Sequence, residues 1–219
     1  MLVNNLSYEQ LPQIRLSDRV DYVLEQMYQC HVQELPVVEN EEFVGLIREE
    51  TLLNADETQI IKDIAHKLIQ ISINVNDHLL KAVSLAVTSH LSILPVTDVD
   101  HHFKGVVESS KLLAEVAGFM ELEEPGALIV LEIDSIQYSF SEITRLVESN
   151  DAQITQLNTT RDKETGKMFI TLKVNKLEVS DIVATFQRYD YQVKYYFGEE
   201  LYANELKSNY ENLMSYLNV

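Results

Sequence analysis

The segment Glu34-Leu35-Pro36-Val37-Val38, followed by Gly45-Leu46-Ile47, occurs again as Ile93-Leu94-Pro95-Val96-Thr97 followed by Gly105-Val106-Val107. Pro36 and Pro95 lie 59 residues apart, Gly45 and Gly105 lie 60 apart. The match continues upstream, where Asp18 faces Asp77, Val20 faces Leu79, Leu24 faces Val83 and His31 faces His90. A period near 60 residues is too long for a solenoid unit and reads as a duplicated small domain. Two copies side by side imply a local twofold axis and a groove at their seam.

Each copy carries the same order of elements. After a short extended piece (Leu11 to Leu16), Asp18 is expected to cap a helix with Val20, Val23, Leu24 and Met27 on one face. Leu35 to Val38 and Phe43 to Ile47 form a hairpin, and a short helix follows near Glu49 to Asn54. In the second copy Ile71 to Val75 is extended and Asp77 is expected to cap the helix of Leu79, Leu80, Val83 and Val87. Strands Ile93 to Thr97 and Phe103 to Val107 follow, and Ser109 or Ser110 opens a helix towards Val116. Residues 2–10 read as a short helix or arm, and 55–70 as helix plus connector.

The pattern breaks at Glu121-Leu122-Glu123-Glu124-Pro125-Gly126, where acidic residues and a Pro-Gly pair mark a linker. Beyond it come an apolar strand (Ala127 to Ile133) and an amphipathic helix with Phe140, Ile143, Leu146 and Val147. Two alternating segments follow, joined by a turn at Asp162 to Lys167, then a helix with Val179, Ile182, Val183 and Phe186, and a last strand, Tyr191 to Phe197. This β-α-β-β-α-β order is ferredoxin-like. The tail spaces Tyr202, Leu206, Tyr210, Leu213 and Leu217 as one sticky helix face, suited to its own domain or to a second subunit. The expected layout is therefore 1–120 for the duplicated part (copies about 11–54 and 71–114), 121–126 as linker, 127–198 as the ferredoxin-like domain and 199–219 as a C-terminal helix. The class is α+β, and an open four-stranded sheet with an amphipathic tail suits a homodimer.

Charge narrows the partners. The net charge is −18. Residues 1–120 hold 8 basic and 18 acidic side chains, hence −10; residues 121–219 hold 9 and 17, hence −8. Nucleic acid and anionic lipid are repelled on average. Acidic pairs such as Glu41-Glu42, Glu49-Glu50, Glu123-Glu124 and Glu199-Glu200 are a solvated surface or, alternatively, a divalent-cation sensor. No apolar run is long enough to span a membrane, and the polar start, Met1 to Gln10, does not read as a secretory signal. The single cysteine, Cys30, excludes an intrachain disulfide and fits a reducing cytoplasm. All six histidines lie between residues 31 and 102. The adjacent pair His101-His102 is weak grounds for a metal, and His31 and His90 suit helix ends. There is no H-E-x-x-H, phosphate loop, G-x-S-x-G or dinucleotide glycine run, and no nucleophile–base pair. The reading is a non-enzyme with no catalytic residue and no metal site.

The doubled unit, with Leu-Pro-Val-Val and Gly-Leu-Ile in copy one and Leu-Pro-Val and Gly-Val-Val in copy two, resembles the CBS domain over roughly residues 1–118. Residues 126–197 resemble an ACT domain in element order. A CBS pair followed by an ACT domain is similar to the acetoin-utilisation regulatory protein family. The resemblance implies a regulatory ligand sensor whose cleft holds an adenine nucleotide or S-adenosylmethionine, with a Thr and an Asp of a Gly-h-h-Thr-x-x-Asp pattern (h apolar) on phosphate and ribose. On that pattern the site residues are Pro36, Gly45, Arg48 and Thr51 in copy one, and Pro95, Gly105, Glu108 and Lys111 in copy two. The sequence departs from it: Arg48 and Glu108 stand at the Thr positions, Thr51 and Lys111 at the Asp positions. Arg48 can meet a phosphate with two prongs. Glu108 repels one and Lys111 attracts one, unless the two, three apart, pair with each other. In the ACT-like part the loop Asp134-Ser135-Ile136-Gln137-Tyr138-Ser139 lacks the glycine that lets backbone approach an amino-acid ligand. The implied partner is an enzyme or a transporter; the alternative is a ligand-free dimeric adaptor with vestigial clefts.

Overall fold

Each Leu-Pro-Val motif is the first strand of an antiparallel hairpin. In copy one β1 (Glu34–Glu39) pairs with β2 (Glu42–Arg48); in copy two β4 (Ile93–Thr97) pairs with β5 (Phe103–Glu108). Both ladders carry a bulge at the same place, between Val37 and Val38 and between Val96 and Thr97. Unbroken apolar runs, Leu35 to Val38 in β1 and Ile93 to Val96 in β4, are buried on both faces. Helices α1 (Val20–Cys30) and α3 (Leu79–Thr88) precede the hairpins, and α2 (Glu49–Leu53) and α4 (Ser109–Phe119) follow them. A two-residue strand, β3 (Ile73–Asn74), runs parallel to β4, and Ile14 makes the matching parallel bridge to Val37. This is a computed structural model; it describes residues 1–134 and 138–198, in two units, Met1–Glu121 and Leu122–Val219.

The helix caps differ from expectation. Asp18 accepts the Arg15 N–H at 2.7 Å and closes the turn before α1, whose N-cap is Arg19. Asp77 does the same for Asn74, and the N-cap of α3 is His78, whose Nδ1 accepts from the Leu80 N–H at 3.2 Å. A carboxylate two residues before the first helical turn bonds the turn behind it more easily than the helix ahead. His31 and His90 end α1 and the α3 region in the left-handed conformation, φ 55° and 51°.

The two copies exchange their leading segments. Residues 61–67 form a 3-10 helix whose Ile61 and Ile64 enter the core of copy one, beside Val20, Met27, Leu35 and Ile47. Val3–Asn5 form the equivalent 3-10 turn, and Val3 and Leu6 enter the core of copy two, beside Leu79, Leu94 and Val106. The backbone bonds repeat accordingly. Ile61 donates to Asp18 and Val3 to Asp77; Leu46 and Ile69 bond each other both ways, as do Val106 and Glu9. The repeat thus extends to the first residues of the chain, and each leading arm completes the other copy. At the opposite end the hairpin tips meet: Phe103 N–H donates to Glu41 O, Phe43 N–H donates to His101 O, and the two phenyl rings stack 6.3 Å apart.

The second unit is a four-stranded antiparallel sheet in the order β7 (Ile154–Arg161), β8 (Met168–Val174), β6 (Ala127–Ile133), β9 (Gln192–Phe197). Helices α5 (Phe140–Glu148) and α6 (Ser180–Arg188) pack on one face against Ile129, Leu131, Ile170 and Leu172. Ser139 caps α5 by accepting the Glu142 N–H. The described elements follow the β-α-β-β-α-β expectation. The proposed C-terminal helix, 199–219, and residues 135–137 of the expected ligand loop lie outside the described residues.

Candidate functional site

Where β2 ends beside the start of β1 in copy one, and β5 ends beside the start of β4 in copy two, a helix begins. The Glu49 N–H bonds Gln33 O at 2.9 Å, and the Ser109 N–H bonds Ser92 O at 2.8 Å. A cleft opens at each of these points. The first, about 580 Å3, is lined by Gln33, Glu34, Arg48, Glu49, Leu53 and His90 among others. The second, about 420 Å3, is lined by His31, Gln33, Ser92, Glu108, Ser109 and Ser110 among others. Gln33 matches Ser92, Arg48 matches Glu108, and His90 matches His31, so the clefts are repeat-related. Each draws a histidine from the copy opposite.

The side chains in them are not equivalent. Glu34, 3% exposed, accepts from the Ser92 N–H at 3.3 Å and from its hydroxyl. Arg48 Nη2 donates to Ser89 O at 2.9 Å and His90 O at 3.2 Å, at the end of α3, and its Nε stands 3.8 Å from Glu34. Copy one thereby holds the end of a helix in copy two, where carbonyls without intrahelical partners favour a cation. In copy two Glu108 is the N-cap residue of α4, and its carboxylate accepts from Ser110 Oγ at 2.9 Å. Lys111 turns to Glu9, 4.0 Å away, instead of pairing with Glu108. Glu108 precedes the helix, so the three-residue spacing does not put the two on one helical face.

The sites drawn from the sequence thus split up. Arg48 lines the first cleft and Glu108 the second; Thr51, Lys111, Pro36 and Pro95 are not among the residues lining either. Pro36 and Pro95 are buried inside β1 and β4. The glycines answer to the exchanged arms. A Cβ on Gly45 would stand 2.9 Å from Leu68 Cβ; one on Gly105 would stand 2.8 Å from Tyr8 Cβ and 2.9 Å from Glu9 O. Gly105 also has φ 139°, a conformation that side-chain-bearing residues rarely adopt. Sequence reasoning missed Glu34 and Ser92. A signal existed, because Glu34 stands where the other copy has Ile93, and Arg48 where it has Glu108. These two breaks in the internal repeat prove to be one contact.

Among the described residues one group, Asp98, Asp100 and His102, has ligand atoms within 4.8 Å of one another. It is at the tip of the β4–β5 hairpin, and Lys104 Nζ already lies 2.8 Å from Asp98 Oδ2. Hydrogen bonding from Lys104, and less from the backbone N–H groups of His102 and Asp100, holds the Asp98 carboxyl far below the usual range. The cluster is a hairpin tip closed by its own ammonium group. No helix among the described residues is long and apolar enough to cross a membrane.

Residues 5–58 match the family model of the CBS domain. No curated protein matches the sequence. A CBS domain pair/ACT domain protein from Thermotoga maritima is similar in structure, with a TM-score of 0.50 and 23% identity over 54% of this chain and 98% of that one. A CBS-pair protein from Arabidopsis thaliana has a TM-score of 0.48 and 18% identity, over 55% and 96%. The CBS domains of a transcriptional regulator from Streptococcus pneumoniae have a TM-score of 0.47 and 14% identity, over 52% and 98%. The chain carries a CBS domain match in its first copy and, over about half of its length, shares its fold with a CBS-pair protein.

Proposed function

We propose that this is a cytoplasmic regulatory protein whose CBS pair senses an adenosyl compound in the clefts at the repeat seam and signals to a protein partner. The observation that carries the reading is the pair of repeat-related clefts, each placed where a strand ends and a helix begins and each lined in part by a histidine from the opposite copy. A ligand there would touch both copies at once, so it would bind one relative placement of the copies better than another, which is the requirement for a sensor. The ACT-like unit then serves as relay or dimerisation element, the design by which the chain resembles acetoin-utilisation regulators. Calorimetry on the full chain with adenosine, AMP, ATP and S-adenosylmethionine tests this: saturable heat from at least one is expected. No heat and no thermal shift at millimolar concentration of any of them would end the reading.

A second reading, a ligand-free dimeric adaptor, is favoured by one observation. Between α3 and α4 lies an apolar groove of about 440 Å3, formed by Val83, Ala86, Leu91, Leu112 and Val116, with Val87 and Leu113 largely exposed on its rim. Exposed apolar side chains gathered at one place suit a protein interface. Co-purification of a partner without added ligand would support this reading; a monomer without partners would count against it.

A further inference from the structure

The adenosyl reading leaves open which adenosyl compounds the clefts take, and the charges lining them bear on it. In the first cleft stand three carboxylates, Glu34, Glu49 and Glu50, and one guanidinium, Arg48. Arg48 is already engaged by the Ser89 and His90 carbonyls and by Glu34. Glu49 and Glu50 are exposed and make no ion pair among the described residues. The second cleft is lined by Glu108 and by no lysine or arginine. Its other attraction for an anion is the start of α4, an eleven-residue helix. That end already carries the Glu108 carboxylate, and the Ser109 N–H is bonded to Ser92 O. A phosphate entering the first cleft meets three carboxylates against the one guanidinium of Arg48, whose Nη2 is spent on carbonyls, and one entering the second meets Glu108 with no lysine or arginine, in a chain of net charge −18.

We infer that both clefts select against phosphate, and that the adenosyl ligand they take is neutral or cationic, an adenosine-like or sulfonium-bearing compound. Arg48 is in this account a positioning residue: it ties β2 of copy one to the end of α3 in copy two and gives the first cleft its wall. Glu49, Glu50 and Glu108 set the preference by like-charge repulsion of phosphate and attraction of a sulfonium or ammonium group. The inference rests on the adenosyl reading above and can fail while that reading stands.

The test is calorimetry on the full chain at fixed ionic strength in EDTA, so that no divalent ion bridges phosphate to carboxylate, with adenosine, S-adenosylmethionine, AMP and ATP as probes. Adenosine and S-adenosylmethionine are expected to bind at least about tenfold more tightly than AMP, a difference of about 1.4 kcal/mol, and ATP more weakly still. Glu49→Gln/Glu50→Gln should narrow the gap between S-adenosylmethionine and AMP several-fold. Arg48→Gln should lower the melting temperature without changing the ratio of adenosine to AMP affinity beyond about twofold. AMP or ATP binding as tightly as adenosine would overturn the inference and leave the adenosyl reading intact, as would a tenfold loss confined to AMP in Arg48→Gln. Heat from none of the four would remove both. Should Arg48→Gln fail to fold, the wild-type ligand series decides alone.

Discussion

Gly105 shows how a residue suited to a ligand can be required by the chain's own backbone. Its φ of 139° and the Tyr8–Glu9 arm 2.8–2.9 Å from a hypothetical Cβ leave no place for a side chain. Gly105→Ala is expected to destabilise the first unit by about 2–4 kcal/mol through backbone strain and displacement of the arm. Gly118 is the control. It lies in α4 with nothing within 4 Å of its would-be Cβ, so Gly118→Ala should stabilise by about 0.5–1 kcal/mol through helix propensity. Denaturant titration of both variants checks the pair; equal effects would refute the arm's role. Asp98 makes a second residue-scale prediction. Its folded carboxyl is held below the usual range, first by Lys104, so its contribution to stability is full above the unfolded value and is lost as pH falls through the folded one. Below about pH 4 the wild type should lose stability faster than Asp98→Asn, and melting curves from pH 6 to pH 2 would show the two converge. The pair is at a hairpin tip, with Asp98 partly and Lys104 more fully exposed, so salt should shrink the difference.

Among the elements, the exchanged arms carry the largest mechanical consequence. Residues 1–9 mix polar and apolar positions; Val3 is fully buried and the Glu9–Val106 bonds extend the sheet of copy two. Val3→Ala should cost about 1–3 kcal/mol, and Val3→Asp more, because a carboxylate would stand unpaired in an apolar core. Hydrogen exchange should locate the damage: amides of β5 and α3 in copy two lose protection first, although the substitution is in the segment leading into copy one. Loss of protection in α1 and β1 ahead of β5 would contradict the exchange. In the second unit Tyr191 donates to Glu142 Oε2 at 2.9 Å, joining the start of β9 to α5; burial first, then this bond, pushes the phenol up to about 12. It therefore stays a neutral donor throughout the physiological range.

At the scale of the whole molecule, the apolar rim of α3 and α4 predicts self-association. Val87→Glu/Leu113→Glu, at two largely exposed positions, should lower the sedimenting mass towards monomer while leaving the melting temperature within a few degrees; an unchanged mass would exclude this face from any dimer. The duplication, the two hairpins and the ferredoxin-like order were all legible along the chain. Each is written in hydrophobic period and turn residues, and such local patterns need no partner to be read. The caps were misread by one residue, since Asp18 and Asp77 had two competing backbone turns within reach. What linear order could not convey is which copy each leading arm completes, and that Glu34, Arg48, Ser89 and Ser92 converge. Both depend on segments some 40 to 100 residues apart meeting across a twofold seam. Spacing within a strand or helix carries no record of such a meeting, and here it turned the best phosphate candidate, Arg48, into a helix tie.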